Sequence, residues 1–227
     1  LIEKAQQQGA DGILLAPANS NALVESCQKI KDQNISLVLI DSSINSDAYD
    51  TCYMTGNMEA GQIAAREMLS MLSDQGNTDQ DSLEVGILLS SDSSQAMVNR
   101  VSGFLEYWAK YAPEKWTINQ DIRLNGGDME NAQADVSELL RNNRHIKGLY
   151  GCNNTSTKGI AAVLMRAARK DIVMAGFDLA EETASLIRDP DYHGITLLQK
   201  QEQMAYKGML SLDQQIRGEK PGKPIAL

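Results

Sequence analysis

The chain has 227 residues, 42% of them hydrophobic and 22% charged, enough to bury a sizeable core as one large domain or two small lobes. Its net charge is −9, and Lys and Arg are scattered, so direct nucleic-acid contact by this segment is not expected. No apolar run approaches the ~20 residues of a membrane span, and the three cysteines, Cys27, Cys52 and Cys152, are too widely spaced for a zinc pattern.

In chain order, residues 1–8 read as the tail of a helix, broken by Gly9. Residues 11–17 form a short apolar strand stopped by Pro17, and Asn19 or Ser20 caps a helix running to about residue 33. A strand over 35–41 ends in Asp41, and a polar loop leads to a short strand over 51–55. Asn57 opens a long helix with Gly61, Ala64, Ala65, Met68, Leu69 and Leu72 on one face. After a turn-rich acidic stretch comes a strand over 83–89, a helix over 94–111 closed by Pro113, a strand over 117–124 and a helix over 129–142. A strand over 147–152 leads into a helix over 155–169. Residues 171–177 form a strand that ends in Gly176-Phe-Asp178, followed by a short helix to Arg188. The last units are a strand over 194–199, a helix over 201–216 and a Pro/Gly/Lys tail over 218–224.

The strands are continuous apolar runs rather than alternating ones, which marks strands buried on both faces, hence parallel and covered by helices. Regular strand–helix alternation then predicts an α/β protein with right-handed crossovers and doubly wound sheets. There are more units than one compact sheet needs, so two similar lobes are expected: residues 1–55 with 200–227, and residues 56–199. The first unit opens on a helix, so at least one strand is expected upstream of Leu1.

Ligands of open α/β sheets bind at the carboxyl ends of strands. Five polar residues fall at such places: Asp41, Arg100, Asn153, Asp178 and Gln199. Two carboxylates accept from hydroxyls, arginine donates in a planar fork, and Asn and Gln do both. That mixture suits a small neutral polyol and suits a phosphate poorly, because two carboxylates would repel it. Taken singly, each residue has a structural explanation: Asp41 and Asp178 as turn residues, Asn153 as a helix cap, Arg100 as a surface ion-pair partner. Taken together, five complementary residues at equivalent strand ends favour one shared site. No Gly-x-Ser-x-Gly, phosphate-cradling glycine loop or His-Glu-x-x-His is present, so no enzyme activity, cofactor or metal is expected.

The segments Asp11-Gly-Ile, Leu39-Ile-Asp41, Asn57 with Gly61, Arg100-Val-Ser-Gly-Phe104, Cys152-Asn-Asn154 with Gly159, Ala175-Gly-Phe-Asp178 and Thr196-Leu-Leu-Gln199 resemble, in order, the type I periplasmic sugar-binding proteins. Ribose- and galactose-type transport receptors and the effector domains of lactose-repressor-type regulators belong to that superfamily. The resemblance implies the type I periplasmic-binding-protein fold without its first strand–helix unit, two lobes closing on a sugar, and hinge crossings near Thr55 and Gln199. It assigns ligand contacts to Asp41, Arg100, Asn153, Asp178 and Gln199. Ser42 stands where ribose-type receptors carry a second arginine, and Gly127 near an aromatic stacking position, which counts against ribose itself. The implied protein is an extracytoplasmic sugar receptor, periplasmic or a cell-surface lipoprotein, partnered by an ABC transporter permease or a membrane sensor. The alternative is a cytoplasmic sugar-sensing regulator domain.

Overall fold

The computed structural model describes residues 2–219 and the strand Ile225–Ala226. They divide into two compact units, one of residues 1–56, 93–98 and 200–227, the other of residues 57–92 and 99–199. Residues 93–98, assigned from sequence to the second lobe, thus group with the first unit. The expected tail residues 220–224 lie outside the described residues.

The first unit carries α1 (Ile2–Gln7), β1 (Gly12–Leu15), α2 (Val24–Asp32), β2 (Ser36–Ile40), β3 (Thr51–Met54), α8 (Gln201–Ile216) and β10 (Ile225–Ala226). Its strands form a parallel sheet in the order β1-β2-β3-β10. The apolar strands divide by parity. Leu37 and Leu39 join Ile13 and Leu15 in a core with Cys27 and Ile30 of α2. Val38, Tyr53, Leu14 and Ile40 pack with Met204 and Leu212 of α8. Alternate side chains of one strand thus feed opposite cores, which is why β2 shows no polar face. The expected helix cap falls elsewhere. Asn19 Oδ1 accepts from the Asn21 and Ala22 N–H groups, both at 2.9 Å, closing a turn ahead of α2. Ser20 donates to the Ser43 carbonyl, and α2 starts only after Leu23.

The second unit has a six-stranded parallel sheet in the order β5-β4-β7-β8-β9, with β6 also pairing β4. These are β4 (Leu83–Leu89), β5 (Trp116–Ile118), β6 (Arg123–Leu124), β7 (Ile146–Gly151), β8 (Val173–Phe177) and β9 (Gly194–Leu197). The single strand expected over 117–124 is broken into β5 and β6. Asn119 turns the chain between them, its Oδ1 accepting from Asp121 N–H at 3.0 Å. One face is covered by α5 (Met129–Asn142), α6 (Asn154–Arg166) and α7 (Glu181–Arg188), through Leu139, Ile160, Leu164 and Leu186. Towards α4 (Gln95–Tyr111), Tyr150 of β7 stacks on Phe104, ring centroids 4.4 Å apart.

A helix crossing sets where Arg100 stands. A Cβ on Gly61 of α3 (Asn57–Asp74) would lie 2.1 Å from the Arg100 carbonyl oxygen, and one on Gly103 would lie 2.0 Å from the Met58 oxygen. Only two glycines let these backbones touch, and that contact is the physical content of the Asn57-to-Gly61 and Arg100-to-Phe104 motifs.

Candidate functional site

In the second unit, three elements meet at the Arg100 guanidinium. The side chain is 1% exposed, among the largest fully buried groups of the protein. Its Nε donates to Asn57 Oδ1 at 2.7 Å, one terminal nitrogen donates to the Cys152 carbonyl at 2.8 Å, and the other donates to Gln199 Oε1. Its carbon lies 3.9 Å from the Phe177 ring centroid. A buried charge is costly unless its donors are met, and here acceptors from α3, the residue after β7 and the segment after β9 meet them.

Gln199 carries that charge onward. With Oε1 held by Arg100, its Nε2 donates to both oxygens of Asp178, at 3.1 and 3.2 Å. Gln199 stands two residues past the end of β9, not at its last position as expected from sequence. Asp178 follows β8 directly in the left-handed backbone region, φ 63°, where non-glycine residues are uncommon. Its N–H donates to the Leu197 carbonyl at 2.9 Å.

Asn153 follows β7, the neighbour of β8, and stands at the N-cap of α6. Its side chain makes no cap bond to the helix backbone. Instead Oδ1 accepts from the Ser156 hydroxyl at 2.6 Å, so capping does not explain its amide. Thr157 seals the adjacent strand ends, its hydroxyl oxygen accepting from Phe177 N–H at 2.9 Å. That oxygen would lie 2.4 Å from a Cβ on Gly176, which accounts for the glycine before Phe177 and Asp178.

Arg100, Gln199 and Asp178 therefore form one bonded chain, with Asn153 on the adjoining strand end. Asp41 belongs to the first unit, where it follows β2 with an exposed side chain and φ 69°. Beside it, burial and then the Asp41 charge push the Cys52 thiol up to about 12. Burial likewise pushes the Cys152 thiol up to about 12, against the lowering effect of Arg100. Sequence reasoning missed Asn57, Asn125 and Ser156 as parts of this polar network. The Asn125-Gly-Gly turn was the available signal for one of them. Among the described residues no group of His, Cys, Asp and Glu is placed to hold a metal ion.

Doubly wound parallel sheets in two units, and a polar set at the strand ends of one of them, define a binding protein of the α/β type. The chain belongs to the periplasmic binding protein domain family, which matches residues 1–220. It is similar to the D-apiose import binding protein of Actinobacillus succinogenes, at 26% identity over 98% of this chain and 69% of that protein. It is similar also to the D-apiose import binding protein of Paraburkholderia graminis, at 24% identity over 99% of this chain and 69% of that one. An ABC transporter solute-binding protein of Agrobacterium vitis, solved with bound D-fucose, superposes with a TM-score of 0.89 at 26% identity, covering 99% of this chain and 75% of that one. The chain is a binding protein and not an enzyme, and its family implies an extracytoplasmic place. Among the described residues no helix is long and apolar enough to cross a membrane.

Proposed function

We propose that this chain is the solute receptor of an ABC-type importer for a small neutral monosaccharide, of pentose or 6-deoxyhexose size. Arg100, Asn153, Asp178 and Gln199 of the second unit contact its hydroxyls. The observation that carries the reading is the bonded chain from Arg100 through Gln199 to Asp178. It holds a carboxylate, the group that accepts from sugar hydroxyls, in a fixed pose, linked through an amide to a buried guanidinium. The names of the relatives, for D-apiose import and with bound D-fucose, support the size range. The partner is a transporter permease, and the place is the periplasm or the outer cell surface.

Titration calorimetry with D-apiose, D-fucose and D-ribose tests this. At least one of the first two should bind more tightly than ribose. Asp178→Ala should weaken the best binder by ~2–4 kcal/mol, because a hydroxyl and the Gln199 amide both lose their acceptor. No heat with any of the three, or an unchanged affinity in Asp178→Ala, would remove the reading.

A further inference from the structure

We infer that Asn125 and Ser156 are positioning residues that fix the Asn153 side chain as a hydrogen-bond donor to the ligand. The inference rests on the sugar-receptor reading and deepens it by naming the polarity of one contact.

The polarity is set by a backbone group. Gly127 N–H can only donate, and it donates to Asn125 Oδ1 at 3.0 Å. The Asn125 Nδ2 is therefore the end that faces Ser156, and it donates to the Ser156 oxygen at 2.8 Å. An NH2 group accepts nothing, so the Ser156 proton is not used on Asn125, and Ser156 donates it to Asn153 Oδ1 at 2.6 Å. Each step removes the choice from the next. An amide free to turn can meet a ligand hydroxyl in either sense, but the Asn153 oxygen is tied to Ser156 and its Nδ2 is the end that Ser156 does not hold.

The chain is also dry. Asn125 is 1% exposed and Ser156 fully buried, whereas Asn153 is half-buried at the strand end. Turning the Asn125 amide would leave its buried NH2 facing the Gly127 N–H, a donor facing a donor, at the cost of an unmet polar group. The ligand oxygen at Asn153 accordingly acts as an acceptor there, and its own proton goes elsewhere, for example to Asp178.

A double-mutant cycle on the full chain reads this out, with whichever of D-apiose, D-fucose and D-ribose binds best as the probe. Ser156→Ala should weaken that sugar about five- to tenfold, while in the Asn153→Ala background the same change should alter affinity less than about twofold. An equal loss in both backgrounds would mean that Ser156 acts on the fold and not through Asn153, and would overturn the inference. If Asn153→Ala leaves affinity unchanged while Asp178→Ala lowers it, the relay fails and the sugar-receptor reading survives. A ligand-free measurement decides the case in which no sugar binds: in the 15N-labelled protein, Ser156→Ala should shift the side-chain amide signals of both Asn125 and Asn153 and leave those of Asn119 and Asn143 in place. An unmoved Asn153 signal would equally overturn the relay.

Discussion

The same backbone event occurs twice, once in each unit, with different consequences. After β2 the chain turns left-handed at Asp41, φ 69°, and its N–H donates to Tyr53 of the neighbouring strand β3. After β8 it turns left-handed at Asp178, φ 63°, and its N–H donates to Leu197 of the neighbouring strand β9. Both turns put a non-glycine residue where it is uncommon. The side chains then diverge. Asp41 is exposed, whereas Asp178 is half-buried and bonded through both oxygens to an amide that a buried guanidinium holds. Strand-end geometry supplies the place for a carboxylate, and only in the second unit do neighbouring elements lock its pose.

The sharpest way to break this contrast is at the helix crossing. Gly103→Ala drives a Cβ to 2.0 Å from a backbone oxygen, and neither helix can yield without displacing Arg100. In the first unit, Gly208→Ala meets side chains and no backbone, Leu14 Cδ1 at 2.8 Å, Ile40 Cγ2 at 2.9 Å and Val38 Cγ1 at 3.7 Å, and side chains give way more cheaply than backbone. Urea denaturation should show a loss of ~3 kcal/mol or more for Gly103→Ala and ~1 kcal/mol for Gly208→Ala. Similar losses would mean that the crossing does not anchor Arg100. Next in size is a matched pair. Asp41→Ala and Asp178→Ala share the cost of alanine in a left-handed turn, so their difference isolates the side-chain network. Asp178→Ala should be less stable than Asp41→Ala by ~1–3 kcal/mol, the cost of leaving the Gln199 donors unmet. Equal melting would show that the network adds no stability.

How much of this contrast could be read beforehand varies along the chain. The parallel sheets were legible because runs such as Leu37 to Ile40 are apolar at both parities, and only burial on two faces calls for that. Asp41 and Asp178 were legible as strand ends because each closes such a run. Their difference in burial was not, since it depends on Gln199, two residues beyond β9, and on where the α3–α4 crossing puts Arg100. The split between β5 and β6 was hidden because Asn119 turns the chain through its side chain while the apolar pattern continues on either side. The Asn125–Ser156 pair was illegible for a similar reason. Polar residues 31 positions apart carry no periodic signal, and only the fold brings them to 2.8 Å.

The smallest expected effect is a pH dependence, and it tests whether both strand ends are equally dry. Cys52 and Cys152 are buried beside Asp41 and Arg100 respectively, and burial pushes each thiol up to about 12. An unfolded cysteine titrates near ~8.5. A folded thiol that holds its proton more tightly adds stability that is complete below the unfolded value. That stability fades as pH climbs through the window from about 8.5 to 12, because the unfolded chain releases the proton first. Urea midpoints should therefore fall between pH 8 and pH 10, and the fall should shrink when either cysteine is replaced by serine. The neighbours act in opposite senses, since the Asp41 charge raises the Cys52 value while Arg100 lowers that of Cys152. Asp41→Asn should consequently ease the alkaline loss at Cys52, whereas at Cys152 the dominant force is burial alone. Rapid iodoacetamide labelling of either thiol in the native protein at pH 8 would mean that water reaches these buried cysteines.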